Sequence, residues 1–384
     1  MTWLLLLLLS LLWYSWIILS RWLAWKQLPA TTAPAAFQPS TRLTVIIPVR
    51  NEAENILYLL QDLDRQHYPK ELLEVLVVDD HSDDETPALV EQFMLGSRTS
   101  VRCIQLGNYV KYSGKKAAVQ VGVEQAQGEL LLFTDGDCRV GPEWLRSYSY
   151  LYKTERPYFI SGPVSFHHTH TPFERMQLVE FSSLIGIGGA SIAMGHPNMC
   201  NGANLAYRKD VFKEVGGFAG NEAVASGDDE FLLHKVHQAF PGRVKFLRSA
   251  EAIVYTTARK SLISFIQQRV RWASKWKSYQ SLQVQLVALC VFLVNLLLFL
   301  AIPLALWGSM PVWVFLSAYL TKFAVDFLFL REITDFLQAR RYLWYILPLQ
   351  LVYIPYVLVT AVLGLWGRYN WKGRTIRTYD QQRV

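Results

Sequence analysis

Residues 130–140 read LLLFTDGDCRV. Four apolar residues and a threonine run straight into Asp135-Gly136-Asp137, two carboxylates separated by a single glycine. Neither acid tolerates burial alone, because desolvating an unpaired carboxylate costs several kcal/mol, so a cation must accompany them. Gly136 frees the backbone to turn both side chains toward one point, and hard oxygen ligands beside water suit Mg²⁺ or Mn²⁺ with positions left for phosphate oxygens. An acid-x-acid pattern is also common in ordinary surface turns. Asp79-Asp80 ends a second apolar run, and Asp228-Asp229 opens a helical stretch. Lys115 begins another helix, at the positive end of its dipole, where a cation is disfavoured unless an anion lies nearby.

The elements that must position these groups alternate. A β-branched run at 43–47 is ended by Pro48, and residues 52–63 carry a helical stripe at Ile56, Leu59, Leu60 and Leu63. Runs at 73–78, 101–106 and 129–133 read as strands, with helical stretches at 86–95 and 115–125 between them. Strands alternating with helices predict an α/β domain with a mainly parallel sheet. Ligands bind beyond the carboxyl ends of such strands, which is where Asp79-Asp80 and Asp135-Asp137 fall.

The 384 residues are 52% hydrophobic with net charge +7 and mean hydropathy +0.16, a mixture that joins a globular part to membrane spans. Apolar stretches at 3–19, 282–307, 311–330 and 343–366 are each about the roughly 20 residues that cross a bilayer. The first lacks a basic start and reads as a retained anchor. The expected division is an anchor and linker over 1–41, an α/β domain with interfacial helices over 42–280, and a spanning region with a basic tail over 281–384. Arg21 and Lys26, then Arg269, Arg271, Lys275 and Lys277, then Arg340 and Arg341 favour a cytoplasmic globular part. The basic tail fits only if the last stretch breaks around Pro348 and Pro355, and that topology stays open. The charge reads as solvated surface and contact with membrane lipids, not nucleic acid. Cys103, Cys138, Cys200 and Cys290 lack disulfide-framework or zinc spacing, and His167, His168 and His170 read as a solvated loop. Lys322 and Asp326 stand i, i+4 and can pair with each other, so transport finds no support.

Seven segments, VIIPVRNEAENI, VVDDHSDDET, SGKKAAVQVG, FTDGDC, NGANLAYRKDVFKEVGGF, SGDDEFLL and QQRVRW, occur in an order that resembles the family 2 glycosyltransferases of GT-A fold over about residues 43–275. The resemblance implies a nucleotide-diphosphate-sugar donor, a divalent metal and an inverting single displacement. It makes Asp80 the acid that reads a uracil imide N–H, ahead of Asp79, for which an Asx-type turn competes. Val49 and Glu52 match the loop against base and ribose, although Glu52 also suits a helix's first turn. Lys115 comes near the donor, and Asp135, Gly136 and Asp137 form the metal and diphosphate turn. Asp229 becomes the general base and Asp228 its neighbour, against a plain helix-capping role; relatives often show Glu-Asp where this chain has Asp-Asp. Asn201-Gly202 matches a loop near the transferred sugar, or is only a turn. Gln268, Arg271 and Trp272 fit the Q-x-x-R-W motif of membrane-embedded members, in a stretch that also suits an interfacial helix. Arg269, Lys275 and Trp276 are expected to touch lipid, and residues 181–194, too short to span, to lie along the membrane surface.

The expectation is an integral membrane enzyme of a bacterial inner membrane with its catalytic domain in the cytoplasm. It would move a sugar from a UDP-sugar to a lipid-linked or glycan acceptor, with no protein partner indicated. A processive polysaccharide synthase and a silent nucleotide-sugar-binding scaffold are the competing readings.

Overall fold

The computed structural model describes residues 2–110, 114–220, 227–274, 282–366, 368–371 and 374–377. By packing, the chain divides into an α/β unit, Leu28–His168 with Ser191–Thr257, and a helical unit, Met1–Gln27 with Thr169–Ala190 and Ala258–Val384. Elements are numbered along the whole chain.

In the α/β unit, β1 (Leu43–Val49), β2 (Leu73–Asp79), β3 (Ser100–Gln105) and β4 (Leu130–Phe133) alternate with α2 (Ile56–Asp64), α3 (Thr86–Met94) and α4 (Lys115–Gln125). All four strands pair in parallel, in the order β3-β2-β1-β4. Burial of every residue explains why β4 reads as an unbroken apolar run and β2 as one from Val75 to Val78, its Glu74 being buried as well. After β5 (Arg139–Val140) and α5 (Trp144–Glu155), the chain adds β6 (Phe159–Ser161), β7 (Val164–Phe166), β8 (Leu205–Arg208), α7 (Lys209–Glu214), α8 (Asp228–Ala239), β9 (Val244–Phe246) and β10 (Val254–Thr256). β8 runs antiparallel to β4 and β6, and β6 is parallel to β9, giving seven strands in a mainly parallel sheet. A small sheet, β5-β10-β7, stands apart from it.

Pro48 does not end β1; the strand continues to Val49, with Pro48 opposite Val78. The reason lies in β4, which stops at Phe133 opposite Ile46. Beyond that point β1 has one neighbour, and a residue without an N–H is tolerated on such an edge.

One buried amide organises the second half of this unit. Asn204 Oδ1 accepts from Trp144 Nε1 at 2.9 Å and Tyr148 Oη at 2.8 Å, while its Nδ2 donates to the carbonyls of Pro163 at 2.6 Å and Ala252 at 2.9 Å. Every donor and acceptor of the side chain is therefore satisfied where water is excluded, which rigidifies the segments it joins. Its own backbone N–H closes the Asn201 turn at 3.0 Å.

The helical unit holds α1 (Thr2–Gln27), most of α6 (Pro172–Ala193), α9 (Leu262–Ala273), α10 (Leu282–Leu306), α11 (Val312–Phe336) and α12 (Ile346–Trp366). Among the described residues five helices are long and apolar enough to cross a membrane, where the sequence suggested four. The fifth is α6. Residues 181–193 are not a segment too short to span but the end of this 22-residue helix, whose most apolar window is 72% buried. α12 is continuous through Pro348 and Pro355, so the helix has no break at those prolines. Pro348 falls in its first turn, where a missing N–H costs little. Lys275, Trp276 and Lys277, and the tail beyond Arg377, lie outside the described residues. Lys322 does pair with Asp326, at 2.7 Å, and the pair is wider than the sequence suggested. Asp326 also accepts from Tyr14 Oη at 2.5 Å and Gln350 Nε2 at 2.6 Å, which ties α1, α11 and α12 through one buried carboxylate.

Candidate active site

The site is assembled from turns at the carboxyl ends of β1, β2 and β4. Asp79 and Asp80 are both buried. Asp79 Oδ2 accepts from the Ser82 N–H at 3.1 Å, the Asx-type turn that competed for it, while its Oδ1 has no hydrogen-bond partner among the described residues. Asp80 donates its backbone N–H to the Val49 carbonyl at 2.8 Å, and its Oδ1 lies 3.1 Å from His81 Nδ1. α2 begins at Ile56, so Glu52 precedes the helix and is not a first-turn acid. Its backbone N–H donates to Thr86 Oγ1 at 2.8 Å and its carboxylate accepts from Asn55 Nδ2 at 3.0 Å.

Two residues that the sequence reading passed over lock these turns together. Arg50 donates to the carbonyls of Asp80 and His81 at 2.7 and 2.5 Å, and Asn51, at φ 53°, receives and returns hydrogen bonds with Ser82 and Asp83 at 2.9 Å. Asparagine is among the few residues that enter this left-handed region readily. That was the available signal.

The glycine between the two acids is sterically required. A Cβ at Gly136 would stand 2.9 Å from Val49 Cγ1 and 3.0 Å from Glu52 Cγ, so the Asp135-Asp137 turn lies directly against the β1 loop. From there the two acids diverge. Asp135 forms an ion pair with Lys115 at the first residue of α4, whereas Asp137 faces Thr256 Oγ1 at 3.5 Å and Cys138 Sγ at 3.7 Å. Lys115 does have the anion that its position demands, and that anion belongs to the protein.

Across from Lys115 stand the acids of α8. A Cβ at Gly202 would lie 3.2 Å from Asp229 Oδ2 and 3.4 Å from Lys115 Nζ, so a side chain there would crowd both charged groups unless they give way. Asn201 turns the chain there, its Oδ1 accepting from the Ala203 N–H at 3.0 Å. Lys115, Gly202, Asp228 and Asp229 line a cleft of about 310 Å³, solvent-open volume included, whose apolar wall contains Phe133 and Tyr207. Tyr207 is a residue the sequence reading did not single out. Its hydroxyl is buried without a hydrogen-bond partner among the described residues, and it stacks on Phe133 at 4.5 Å.

The charges in the cleft perturb one another. Burial alone would pull the Lys115 ammonium down, but Asp135, Asp228 and Asp229 outweigh it and hold the group above an ordinary lysine. Burial pushes the Asp228 carboxyl up, and the like charge of Asp229 adds to this, against partial relief from Lys115 and Lys116. A raised carboxyl pKa means that the folded state holds a proton the unfolded chain has released, so stability falls as pH rises from the ordinary carboxylate range through the raised value. Asp228→Asn is therefore expected to melt above wild type at pH 8, with the gap closing toward pH 4. Thermal melts across that range check it, and a variant that melts lower at pH 8 would contradict it.

Asp135 and Asp137 are the carboxylates of this turn that would hold a divalent ion, and their present partners differ, Lys115 for the first and Thr256 for the second. Among the described residues no group of three His, Cys, Asp or Glu side chains gathers to hold one alone. Two carboxylates beside a cleft, with the remaining positions left for phosphate oxygens and water, match the way Mg²⁺ is usually held.

Gln268, Arg271 and Trp272 lie on α9 in the helical unit. Trp272 packs near Phe181, ring centroids 6.1 Å apart. Arg269 is not a lipid contact: it is 3% exposed and forms an ion pair with Glu180 of α6. An acid 89 positions away in the chain is invisible to a local reading of basic and aromatic residues.

Acids clustered at the ends of parallel strands, beside a lysine at a helix start, stand where open α/β sheets bind their ligands. Residues 44–216 match the family model for Glycosyl transferase family 2. Residues 44–216 thus carry a family 2 glycosyltransferase domain, and the α/β unit has a GT-A-like fold. The chain is 33% identical over 195 residues to glycosyltransferase AglE of Haloferax volcanii, covering 48% of this chain and 58% of that protein. Over 105 residues it is 35% identical to the poly(ribitol-phosphate) beta-N-acetylglucosaminyltransferase TarS of Staphylococcus aureus, covering 27% of this chain and 18% of the other. The chain spans little more than half the length of the first relative and less than a fifth of the second. Among solved structures, the mannosyltransferase PcManGT of Pyrobaculum calidifontis, in complex with GDP-Man and Mn²⁺, shares the fold with a TM-score of 0.57 at 20% identity, over 90% of this chain and 95% of that one.

Proposed function

We propose that the chain is an inverting, metal-dependent glycosyltransferase that moves a sugar from a nucleotide-diphosphate donor, a UDP-sugar, to a lipid-linked or glycan acceptor at the cytosolic membrane face. The observation that carries this reading is the single cleft that Lys115, paired with Asp135, shares with Asp229 beside Gly202. Donor-side and acceptor-side charges then address one reacting carbon.

In this reading Asp80 reads the imide of the base, and the buried Asp79 Oδ1 supplies a second acceptor in the same turn. Val49 and Glu52 flank base and ribose, held in place by the Arg50 and Asn51 interlock. Asp135 and Asp137 hold Mg²⁺ or Mn²⁺, which when bound offsets the charge that builds on the departing diphosphate. Lys115 adds a second positive charge to that side. Asp229 accepts the acceptor hydroxyl's proton as its oxygen attacks the anomeric carbon from the face opposite the leaving group, so configuration inverts. Asp228 stands beside Asp229, its own carboxyl pushed up by burial and by the like charge of that neighbour. Asn201 and Gly202 border the transferred sugar. Gln268, Arg271 and Trp272 are assigned to the diphosphate and the sugar on the strength of their motif. Five long apolar helices support a membrane-embedded enzyme and a lipid-associated acceptor.

A panel of nucleotide sugars tested by thermal shift decides the donor. Ligand at 100 times its Kd adds about 2.7 kcal/mol, a shift of several degrees. A UDP-sugar is expected to give that shift with Mn²⁺ and a much smaller one without it. Flat melting curves across the whole panel with Mn²⁺ present would sink the reading.

A further inference from the structure

Between Gln268 and Arg271 the α9 helix carries a second arginine that the family motif does not specify. Arg269 is 3% exposed. Its Nε donates to Glu180 Oε1 at 3.0 Å and its Nη2 to Glu180 Oε2, a two-pronged pair on α6. Tyr356 of α12 donates its hydroxyl to the same Oε1 at 3.0 Å. The third nitrogen, Nη1, donates to Gln268 Oε1 at 2.7 Å. The guanidinium also covers two rings, Phe265 at 4.6 Å and Trp272 at 4.3 Å.

One buried side chain thus holds the first and last residues of the motif while itself anchored to two other helices. Stability alone is a poor explanation, because a buried ion pair is often no more stabilising than packed apolar residues of the same volume. The arrangement does specify orientation. With its oxygen engaged by Nη1, the Gln268 amide keeps its NH₂ as the group that donates, and the stacked guanidinium fixes the tilt of the Trp272 indole. Lysine reproduces neither the fork nor the planar stack.

We infer that Arg269, clamped by Glu180 and Tyr356, is a positioning residue that sets the orientation of Gln268 and Trp272 for sugar transfer. The inference rests on the proposed reading that those two residues serve the transfer. Glu180 and Tyr356 act through Arg269.

The test uses the full-length protein in lipid nanodiscs, with kcat, donor KM and UDP affinity measured for Arg269→Lys, Tyr356→Phe, Gln268→Ala, Trp272→Ala and the Arg269→Lys/Trp272→Ala double variant. Arg269→Lys is expected to lower kcat about tenfold or more while UDP affinity stays within about twofold, since the acids that read the nucleotide lie elsewhere. Tyr356→Phe, which removes one hydrogen bond and little volume, is expected to lower kcat by about two- to fivefold. The double variant is expected to be no worse than Trp272→Ala alone, because residues acting as a unit are non-additive. Wild-type kcat in Arg269→Lys, or losses that multiply in the double variant, would overturn the inference. If Arg269→Lys does not fold, Tyr356→Phe carries the decision, and an unchanged kcat there overturns it. Full turnover in both Gln268→Ala and Trp272→Ala would remove the motif reading and this inference together. Loss in those two without loss in Arg269→Lys would remove this inference alone.

Discussion

Replacing Asp229 with asparagine is expected to lower kcat by about 10²- to 10⁴-fold, the range that positioned general bases contribute, while UDP affinity stays within about twofold. The asymmetry follows from where Asp229 stands. It stands in the first turn of α8 on the wall of the cleft, near Gly202 and Lys115, while the base is assigned to the turn of Asp79 and Asp80. Asparagine keeps the shape and cannot take a proton. It also removes one of the charges that hold the Lys115 ammonium above an ordinary lysine, but Asp135 remains as the first of them. Steady-state kinetics paired with calorimetric UDP binding separates the two quantities. A variant that turns over like wild type would take the base role from Asp229, and one that loses UDP binding would make it a donor residue instead.

The second large effect is expected at Asp135. Asp135→Asn removes both a proposed metal ligand and the partner of Lys115, so Mn²⁺-dependent UDP affinity and kcat/KM are each expected to fall by about 100-fold or more, as several kcal/mol of charge stabilisation would imply. This variant should lose the donor, in contrast to Asp229→Asn, which should keep it and lose the chemistry. Titrating UDP with and without Mn²⁺ distinguishes them. If Asp135→Asn still binds UDP in a manganese-dependent way at wild-type affinity, the ion is held elsewhere.

Much of the α/β unit was legible because its strands are buried on both faces and its helices carry one apolar stripe. The predicted helix at 115–125 matches α4 end to end, and the run before Asp135 is β4. Local pattern failed where a distant element changed the rule. Pro48 reads as a terminator until β4 is known to stop short of it. The apolar residues of α6 are interspersed with Glu174, Arg175, Gln177 and Glu180, which lower its local hydropathy below what a span suggests; it became visible only as a 22-residue helix. Asn204 was not singled out by any local pattern, and its four side-chain bonds join positions 41 to 60 residues away. The site acids were legible for a different reason. Their charges end apolar runs, a conflict that only function or a cation resolves, and in the fold one such cation is Lys115. Which acid partners which lysine, and that Gly202 stands close to Asp229 and Lys115, are facts of tertiary distance that no spacing in the chain encodes.

The central claim is that Asp135 and Asp137 grip a divalent ion completed by a sugar nucleotide's diphosphate. Calorimetric titration of UDP into the full-length protein, with Mn²⁺ and again with the metal chelated, tests it most directly. A binding isotherm that appears with manganese and collapses on chelation is the expected result. Equal uptake of UDP in both conditions, or none in either, would contradict the claim.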